Sequence, residues 1–488
     1  MSSCKLIIKD EVNLKLEGLP VEIRRKLVNK FKYVDPTARY RPAYQLGRWD
    51  GAITLFGMGG NGYLSQLPTI LSVLDEAGYT VEDIQDLRTP IKLNFIKITN
   101  SYWANQGKVW PEGHRFAGQP IMLRDDQVET VNRFIEHPQS LQEVATGAGK
   151  TIITATLSQI CEPYGRTIII VPNKDLVTQT EEDFVNVGLD VGVYYGDRKN
   201  LNKTHTICTW QSLNILDKKS KNSEQEILTL AEFLDGVGCV IVDEVHMAKA
   251  DVLKNLLTQN LCNAPVRWGL TGTIPKLEHE SEAIFASIGP VVGGIKAYQL
   301  QEMGILSNLH VNIVQLLDTP EFKAYAEELK YLVTNKDRMT FISTLIKGIA
   351  ESGNTLILVN RIDTGKFLIE LIEDSVFISG EVKGNKRKDE YKEHATNDNK
   401  ITVATYGVAA VGINIPRIFN LVLLEPGKSF VRVIQSIGRG IRKADDKDFV
   451  QIWDITSTCK YAKRHLTERK KFYKEAKYPF TIEKIDWK

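Results

Sequence analysis

The sequence predicts an α/β protein in which two parallel β-sheets, each covered by helices, follow a smaller region of mixed α and β structure. From about residue 119, short branched apolar runs alternate with helical segments. Such runs are typical of strands that helices cover on both faces. They fall into two series, which a helical stretch at about 320–352 separates. Two such series predict two α/β domains with crossover helices.

The predicted strands are near-continuous apolar segments. The first series comprises residues 167–172, 204–210, 238–244 and 267–273, and the second comprises residues 354–360, 400–406, 420–426 and 449–455. Ligands of parallel sheets bind at the carboxyl ends of the strands. We therefore expect functional motifs to follow these runs directly.

Composition sets the broad class of protein. A chain of 488 residues, 43% hydrophobic and 25% charged, is typical of a globular protein with several domains. No apolar run approaches the roughly 18–20 residues that span a bilayer, and the charged N-terminus does not resemble a secretory signal. The six cysteines form no C-x-x-C pair, which argues against a structural zinc site. We expect reduced thiols, a cytoplasmic location and no membrane partner.

Charge is unevenly distributed along the chain, although its net value is only +2. Residues 1–50 carry 11 Lys and Arg against 6 Asp and Glu, and residues 460–488 carry 10 against 4. The stretch between them is therefore acidic. Basic ends suit binding to a polyanion, and a solvated tail gives the same count.

The N-terminal region contains a glycine-rich loop and a cluster of arginines and aromatics. Residues 51–56 and 62–67 flank the sequence G-M-G-G-N-G, which predicts a hairpin with a flexible loop. The cluster consists of Lys32, Tyr33, Arg39, Tyr40, Arg41, Tyr44, Arg48 and Trp49. It suits a nucleic-acid surface, on which rings stack on bases and guanidinium groups pair with phosphates. A small-domain core with snorkelling arginines is the alternative.

The stretch E-V-A-T-G-A-G-K-T-I, residues 143–152, ends like a phosphate-binding loop. Small residues leave backbone N–H groups free to surround phosphate oxygens, namely Gly147, Ala148 and Gly149. Lys150 is placed to contact the β- and γ-phosphates, and the Thr151 hydroxyl to ligate Mg²⁺. Val144 stands where the general motif has its first glycine.

Two further segments carry groups that nucleotide hydrolysis needs. In V-I-V-D-E-V-H, a buried strand runs into Asp243, which is placed to hold Mg²⁺, and Glu244, which is placed to orient or deprotonate the attacking water. In Q-S-I-G-R-G-I-R, Arg439 and Arg442 lie three residues apart and can face one direction on a helix. An arginine that reaches the γ-phosphate from another domain would make hydrolysis depend on domain closure.

In this order the segments resemble the motifs of superfamily-two helicases of the D-E-x-H type, across about residues 119–455. Motif I of that family usually reads A-x-x-G-x-G-K-T, so the resemblance accounts for Val144 and adds Thr146 to the nucleotide loop. It implies that Gln127 reads the adenine edge and that the cofactors are ATP and Mg²⁺. It also places His246 and Gln435 in the catalytic set, beside Lys150 and the acids and arginines named above.

Other segments resemble motifs that touch the nucleic-acid backbone or couple hydrolysis to movement. These are residues 168–179 (motif Ia), 209–212 (Ib), 270–273 (III), 358–363 (IV), 403–416 (V) and 435–442 (VI). The resemblance implies backbone contacts by Asn173, Lys174, Thr209, Gln211, Arg361 and Thr405. Asn414 stands where many relatives carry an aspartate, so we assign it no role.

Residues 40–56 are similar to the region that precedes the motor in phage branch-migration helicases. Those helicases, like the RecG-like motors, remodel D-loops, R-loops, forks and four-way junctions. The likeness implies that Arg48 and Trp49 belong to a substrate-binding domain. The W-D-G element also suits a structural turn with Trp49 in a core.

The resemblance thus implies two tandem RecA-like domains with a small α+β N-terminal domain. We expect a nucleic-acid-binding domain at 1–112, RecA-like domains at 113–298 and 299–459, and a basic C-terminal helical tail at 460–488. The tail suits a DNA-contacting helix or a solvated one. The predicted function is ATP-dependent remodelling of branched DNA in recombination, repair or replication by a monomeric motor, in the host cytoplasm if a phage encodes it.

Other functions remain open at this point. The same motifs occur in the motor component of restriction systems, although residues 1–110 contain no convincing nuclease cluster. An RNA-directed remodeller and a non-hydrolysing junction-binding module are further alternatives.

Overall fold

The computed structural model describes residues 2–114, 116–201, 203–222, 228–247, 250–379, 397–408, 417–427, 437–438 and 446–488. The chain divides into two compact units, one of residues 1–144 and 149–294 and the other of residues 145–148 and 295–488. Within the described ranges, no helix combines the length and the apolar character that crossing a membrane requires.

The N-terminal region forms a four-stranded sheet in the order β5-β2-β1-β6 and a separate two-stranded pair, β3-β4. The strands are β1 Ser2–Ile8, β2 Asn13–Glu17, β3 Lys32–Val34, β4 Ala52–Thr54, β5 Asn61–Tyr63 and β6 Tyr79–Asp86. The helices are α1 Val21–Lys30, α2 Pro42–Gln45 and α3 Leu67–Glu76. Apolar side chains of α1 and α3, such as Leu27 and Leu74, pack on alternate residues of β1 and β2.

The predicted hairpin across the glycine-rich loop is wrong. β4 pairs with β3 and β5 pairs with β2, both antiparallel, so the two strands do not pair with each other. The loop lies directly against β2, because a Cβ at Gly60, whose φ is +83°, would be 2.2 Å from the carbonyl oxygen of Leu16. Because the loop lies so close to β2, the strand that follows it, β5, pairs with β2.

The first compact unit also contains an eight-stranded sheet in the order β10-β9-β11-β8-β12-β13-β7-β14. Its strands are β7 Gln139–Val144, β8 Arg166–Val171, β9 Val191–Tyr195, β10 Arg198–Lys199, β11 His205–Thr209, β12 Val237–Asp243, β13 Val266–Thr271 and β14 Val291–Ile295. Its helices are α4 Asp125–Glu136, α5 Lys150–Ile160, α6 Lys174–Asn186, α7 Trp210–Asn222, α8 Leu230–Phe233, α9 Ala250–Asn255 and α10 Glu278–Ile288. The strands from β9 to β7 pair in parallel. All four predicted strands of the first series are confirmed, as β8, β11, β12 and β13.

The second unit contains a seven-stranded sheet in the order β17-β18-β16-β19-β20-β15-β21, parallel throughout. Its strands are β15 Asn308–Leu316, β16 Thr355–Val359, β17 Ser375–Ile378, β18 Ile401–Thr405, β19 Asn420–Leu424, β20 Phe449–Ser457 and β21 Phe480–Ile485. Its helices are α11 Ala297–Glu302, α12 Tyr325–Thr334, α13 Lys336–Ala350, α14 Ile362–Leu371 and α15 Lys460–Glu475. The second series is confirmed as β16, β18, β19 and β20, and the separating helical stretch as α12 and α13.

The C-terminal residues differ from the separate helical tail that we expected at 460–488. The final strand, β21, adds to the sheet beside β15. The guanidinium of Arg469, on α15, is buried and donates to both carboxylate oxygens of Asp454 on β20, at 2.8 and 2.9 Å. α15 is an amphipathic helix whose buried face includes Leu466 and Tyr473. The number of basic residues in this segment did not indicate that one face is buried.

Candidate nucleotide and nucleic-acid site

The predicted nucleotide residues of the first unit converge at one edge of its sheet. β12 ends at Asp243, its neighbour β13 ends at Thr271, and β7, beside β13, ends at Val144. Because the three strands are parallel, their carboxyl ends lie together. Glu244, which follows β12, and Lys150, which follows β7, therefore meet, as the sequence predicts.

The phosphate-binding loop has the backbone geometry that a cradle of N–H groups requires. Gly147 and Gly149 have φ values of +92° and +82°, in the left-handed region. A Cβ at position 149 would lie 2.4 Å from the Nε2 atom of Gln127, so a side chain there would displace Gln127 and strain the backbone. α5 begins at Lys150 and carries Thr151 in its first turn. The loop and this helix start fit a nucleotide phosphate.

Gln127 lies at the same place in the fold. Its side-chain oxygen accepts a hydrogen bond from the backbone N–H of Arg124 at 3.0 Å, which caps the start of α4. Its amide nitrogen lies against Gly149. The assignment of Gln127 to the adenine edge stays a prediction.

Lys150 and Glu244 form an ion pair. The Nζ atom of Lys150 lies 2.6 Å from Oε1 of Glu244, and the side chains are only 10% and 12% exposed. The backbone N–H of Gly272 donates to Oε2 of Glu244 at 3.3 Å. Burial alone would raise the pKa of Glu244, but the charges of Lys150 and His246 and these hydrogen bonds lower it to about 2. Glu244 is therefore ionised, and it also has a positive φ of +49°, a strained conformation that recurs at functional sites.

His246 links the acids to the end of β13. Its Nδ1 atom contacts the Thr271 hydroxyl and lies 3.5 Å from Oε2 of Glu244. Burial lowers the pKa of His246, although Glu244 opposes that shift. The Thr271 hydroxyl also donates to the backbone oxygen of Thr273 at 2.9 Å. Residues 271–273 thus touch both Glu244 and His246.

The donor set fits a magnesium ion bound mainly through phosphates. Asp243 and Thr151, the predicted ligands, lie at the end of β12 and in the first turn of α5. Over the described part of the chain, no group of three or more His, Cys, Asp or Glu could hold a metal ion. Mg²⁺ usually takes one or two protein oxygens together with phosphate oxygens and water.

Three predicted catalytic residues, Gln435, Arg439 and Arg442, lie outside the described residues, as does Asn414.

The predicted backbone-contact residues of the first unit follow two adjacent strands, β8 and β11. Lys174 is exposed at the start of α6, where the Asn173 side chain accepts hydrogen bonds from two backbone N–H groups at 3.0 Å. Thr209 is buried, with its hydroxyl 2.9 Å from that of Ser212. Gln211 donates to the Pro172 carbonyl at 3.0 Å. Of this group, Lys174 is the residue most available to a phosphate, whereas the other side chains shape the strand ends.

In the second unit, the corresponding residues lie at one edge of the sheet. β16 and β18 are neighbours, and Val359 pairs with Thr405. Arg361 follows β16 directly, is exposed and precedes α14. Arg361 and Thr405 therefore lie at adjacent strand ends.

The arginine–aromatic segment of residues 39–49 is a surface. Tyr40 and Tyr44 are 68% and 43% exposed, and the Arg39 guanidinium lies 4.8 Å from the Tyr40 ring centroid. Arg48 is exposed. The alternative prediction of a domain core is wrong for these residues. Only Trp49 is half-buried, where its Nε1 donates to the Ala52 carbonyl at 2.8 Å.

A buried charge cluster in the second unit was not predicted from the sequence. Arg338, on α13, donates to Asp318 at 3.1 Å and to Glu425 at 2.8 Å, and all three side chains are buried. Glu425 follows β19 with a positive φ of +43°. The only local signal was a charged residue directly after an apolar run.

Two family descriptions match the chain. Residues 120–276 match "Type III restriction enzyme, res subunit", and residues 337–444 match "Helicase conserved C-terminal domain". The chain is similar to the ATP-dependent DNA helicase UvsW of Enterobacteria phage T4, with 25% identity over 458 residues that cover 89% of this chain and 87% of the relative. A putative DNA 3'-5' helicase Rad25 of Haloarcula marismortui is 25% identical over 397 residues, 78% of this chain and 56% of that protein.

Solved structures share the fold. The ATP-dependent Type ISP restriction-modification enzyme LlaBIII bound to DNA has a TM-score of 0.56 and 13% identity, over 76% of this chain and 32% of that one. The Mycobacterium smegmatis helicase Lhr bound to ssDNA and AMP-PNP has a TM-score of 0.52 and 17% identity, over 73% and 49% of the two chains. These matches and the two parallel sheets confirm the expected fold class of two tandem RecA-like domains.

Proposed function

The chain is an ATP-dependent DNA helicase of superfamily two, and we propose that it remodels branched DNA, such as forks, four-way junctions, D-loops and R-loops. The observation that carries this proposal is the exposed arginine–tyrosine surface of residues 39–49, in the same compact unit as Lys150 and Glu244. We further propose that it works in the cytoplasm of a host cell, because the similar helicase UvsW comes from a phage. A monomeric motor is part of the same proposal.

The surface suits DNA at a branch more than an uninterrupted duplex. Guanidinium groups pair with phosphates without reading sequence, whereas tyrosine rings stack on base faces. A continuous duplex hides its base faces, and a branch point or a single strand presents them. Binding through this surface is therefore selective for structure, and its phosphate contacts make it weaken with salt.

At the nucleotide site, the ion pair between Lys150 and Glu244 suggests how nucleotide binding activates Glu244 for hydrolysis. Nucleotide phosphates compete for the Lys150 ammonium, and its transfer to them releases the Glu244 carboxylate. The pKa of Glu244 then rises from about 2, since the Lys150 charge is a main cause that lowers it. The freed carboxylate orients the attacking water and accepts its proton.

Other residues of the chain complete this assignment. Thr151 and Asp243 would hold Mg²⁺, which neutralises charge on the phosphates when bound. We assign adenine recognition to Gln127, transition-state charge to Arg439 and Arg442, and phosphate contacts on DNA to Arg48, Lys174 and Arg361. Trp49, Asn173, Thr209, Gln211 and Thr405 support these contacts in the proposal.

The test compares ATP hydrolysis with forked, four-way, linear duplex and single-stranded DNA and with RNA. We expect the highest rate with forked or four-way DNA, and loss of that stimulation as salt rises. Equal rates with linear and branched DNA would contradict branch selectivity, and stimulation by RNA alone would favour an RNA-directed remodeller.

Lys150→Ala tests the nucleotide site. We expect turnover to fall to background, because the variant loses the ammonium that we place on the β- and γ-phosphates, while DNA affinity stays within about twofold since DNA phosphate contacts lie elsewhere. The exposed Lys199→Ala is the matched control. Near-normal hydrolysis in Lys150→Ala would refute the assignment.

A second candidate is the motor of a restriction system, which the first family description and the likeness to LlaBIII favour. A Mg²⁺-dependent strand-cleavage assay separates the two, because only the restriction function predicts cleavage, by this chain or with a nuclease partner.

A further inference from the structure

Helix α10 belongs to two hydrophobic cores at once. Ala286 packs in the N-terminal cluster, which includes Leu27 and Phe31. Ile284 and Ile288 pack in the core beneath the sheet of β7 to β14. A displacement of either core against the other therefore acts on α10, because close-packed interiors transmit strain.

Polar contacts join α10 to the N-terminal region at two more points. The Nε2 atom of His279 lies 3.7 Å from Oδ1 of Asp35, and the two residues are only 8% and 2% exposed. α10 also packs against β3. There, burial and the nearby carboxylate of Glu282, one turn further along α10, raise the pKa of the Tyr33 hydroxyl to about 12. Both N-terminal partners directly precede the arginine–aromatic surface in sequence.

Asp35 also holds the start of that surface. Its Oδ1 atom accepts hydrogen bonds from the backbone N–H and the hydroxyl of Thr37, each at 2.7 Å. Its Oδ2 atom lies 2.8 Å from a guanidinium nitrogen of Arg41. Arg41 in turn lies over the Trp49 ring, 5.3 Å from its centroid. A ligand that binds Arg41 competes with Asp35 for the guanidinium.

The N-terminal end of α10, which carries His279, also leads to the nucleotide site. The helix begins at Glu278, five residues after Thr273, the last residue of the T-G-T segment. In that segment, the Gly272 N–H donates to Glu244 at 3.3 Å. A cavity of about 660 Å³ is lined by Trp49, by His246 and by residues of α10 such as Ile284. α10 therefore borders the same cavity as the arginine–aromatic surface and the nucleotide site.

We propose that α10 is a positioning element that couples DNA binding at residues 39–49 to hydrolysis, through Tyr33, Asp35, Glu282 and His279. DNA phosphates that draw Arg41 away from Asp35 change the contact of Asp35 with His279. The resulting shift of α10 moves Gly272 relative to Glu244. This inference rests on the proposed function, because it needs DNA on that surface.

The experiment uses the full chain with Tyr33→Phe, His279→Asn and the double variant. We expect kcat at saturating forked DNA to fall about fivefold or more, the range in which allosteric coupling is usually found. The rate without DNA, KM for ATP and the melting temperature should stay unchanged. Glu280→Gln, an exposed residue of the same helix, is the matched control.

An equilibrium measurement gives a second readout. Coupling is reciprocal, so a non-hydrolysable ATP analogue should change the affinity of the wild type for forked DNA, and this change should shrink in the variants. Full DNA stimulation in both single variants would overturn the proposal. So would a fall in rate without DNA that matches the fall with DNA, since that is a structural effect. If DNA does not stimulate the wild type, the proposed function fails instead.

Discussion

At the scale of single residues, two buried glutamates show how neighbours decide a pKa. Glu244 and Glu425 both follow a parallel strand and both have a positive φ. Burial alone would raise both pKa values, but the charges of Lys150 and His246 outweigh it and lower the pKa of Glu244 to about 2, whereas burial raises that of Glu425 to about 7. The difference arises because Glu425 shares its cation, Arg338, with Asp318. Neither the ion pair of Glu244 with Lys150 nor that of Glu425 with Arg338 can be recognised from the residues next to them in the sequence.

Glu425→Gln should change how stability depends on pH. The pKa of Glu425 is about 7 in the folded protein and returns to the ordinary glutamate value of 4.5 in the unfolded chain. Between these values unfolding releases a proton, so the free energy of unfolding falls as pH rises. We expect Glu425→Gln to remove this part of the slope in urea unfolding at pH 5, 6 and 7. The exposed Glu483→Gln is the control, and an unchanged slope in Glu425→Gln would show that Glu425 is ionised throughout.

At the scale of elements, strands and helices follow apolar patterns wherever those patterns are continuous. β7 is the instructive exception, since Ser140 and Gln142 in its sequence do not suggest a buried strand. Both are fully buried, and Gln142 donates to the Thr130 carbonyl at 2.9 Å and accepts from Arg133. Hydrogen bonds to α4 thus replace the apolar pattern that sequence reading relies on.

α15 offers the clearest test at this scale. Arg469→Met should lower the free energy of unfolding by about 3–5 kcal/mol, because it leaves the Asp454 carboxylate buried without its cation. Chemical unfolding followed by tryptophan fluorescence measures the change, with the exposed Arg464→Met as control. Adding Asp454→Leu should restore much of the loss. A loss below about 1 kcal/mol in Arg469→Met would mean that the pair is solvated.

At the scale of the whole molecule, each compact unit has motif residues at the carboxyl ends of its parallel strands, among the residues that the structure describes. In the first unit these are the ends of β8, β11, β12 and β13, and in the second the ends of β16 and β18. The repeated placement follows from parallel pairing, which gathers all strand ends at one edge. Because of this placement, motifs that directly follow predicted strands could be expected to lie close together in the fold.

Arg442→Ala tests the contribution that we assign to the second domain. We expect ATP binding to be spared and hydrolysis to fall by about 10³–10⁵, the range for an arginine that stabilises transition-state charge. Nucleotide affinity by fluorescence titration and single-turnover hydrolysis measure the two effects, with Arg464→Ala as control. If the variant mainly loses affinity for ATP, Arg442 contributes to ATP binding and not to stabilisation of the transition state.

The fold class, the strand series, the order of the motifs and the meeting of Lys150 with Glu244 could all be predicted from the amino-acid sequence, because parallel strands and glycine loops have local signatures. The pairing of β4 and β5, the joining of residues 460–488 to the second sheet, the Arg338 cluster and the shared helix α10 could not. Each of these depends on contacts between residues far apart in the chain. Such contacts are selected by burial and hydrogen bonding in three dimensions, and no periodicity along the sequence records them.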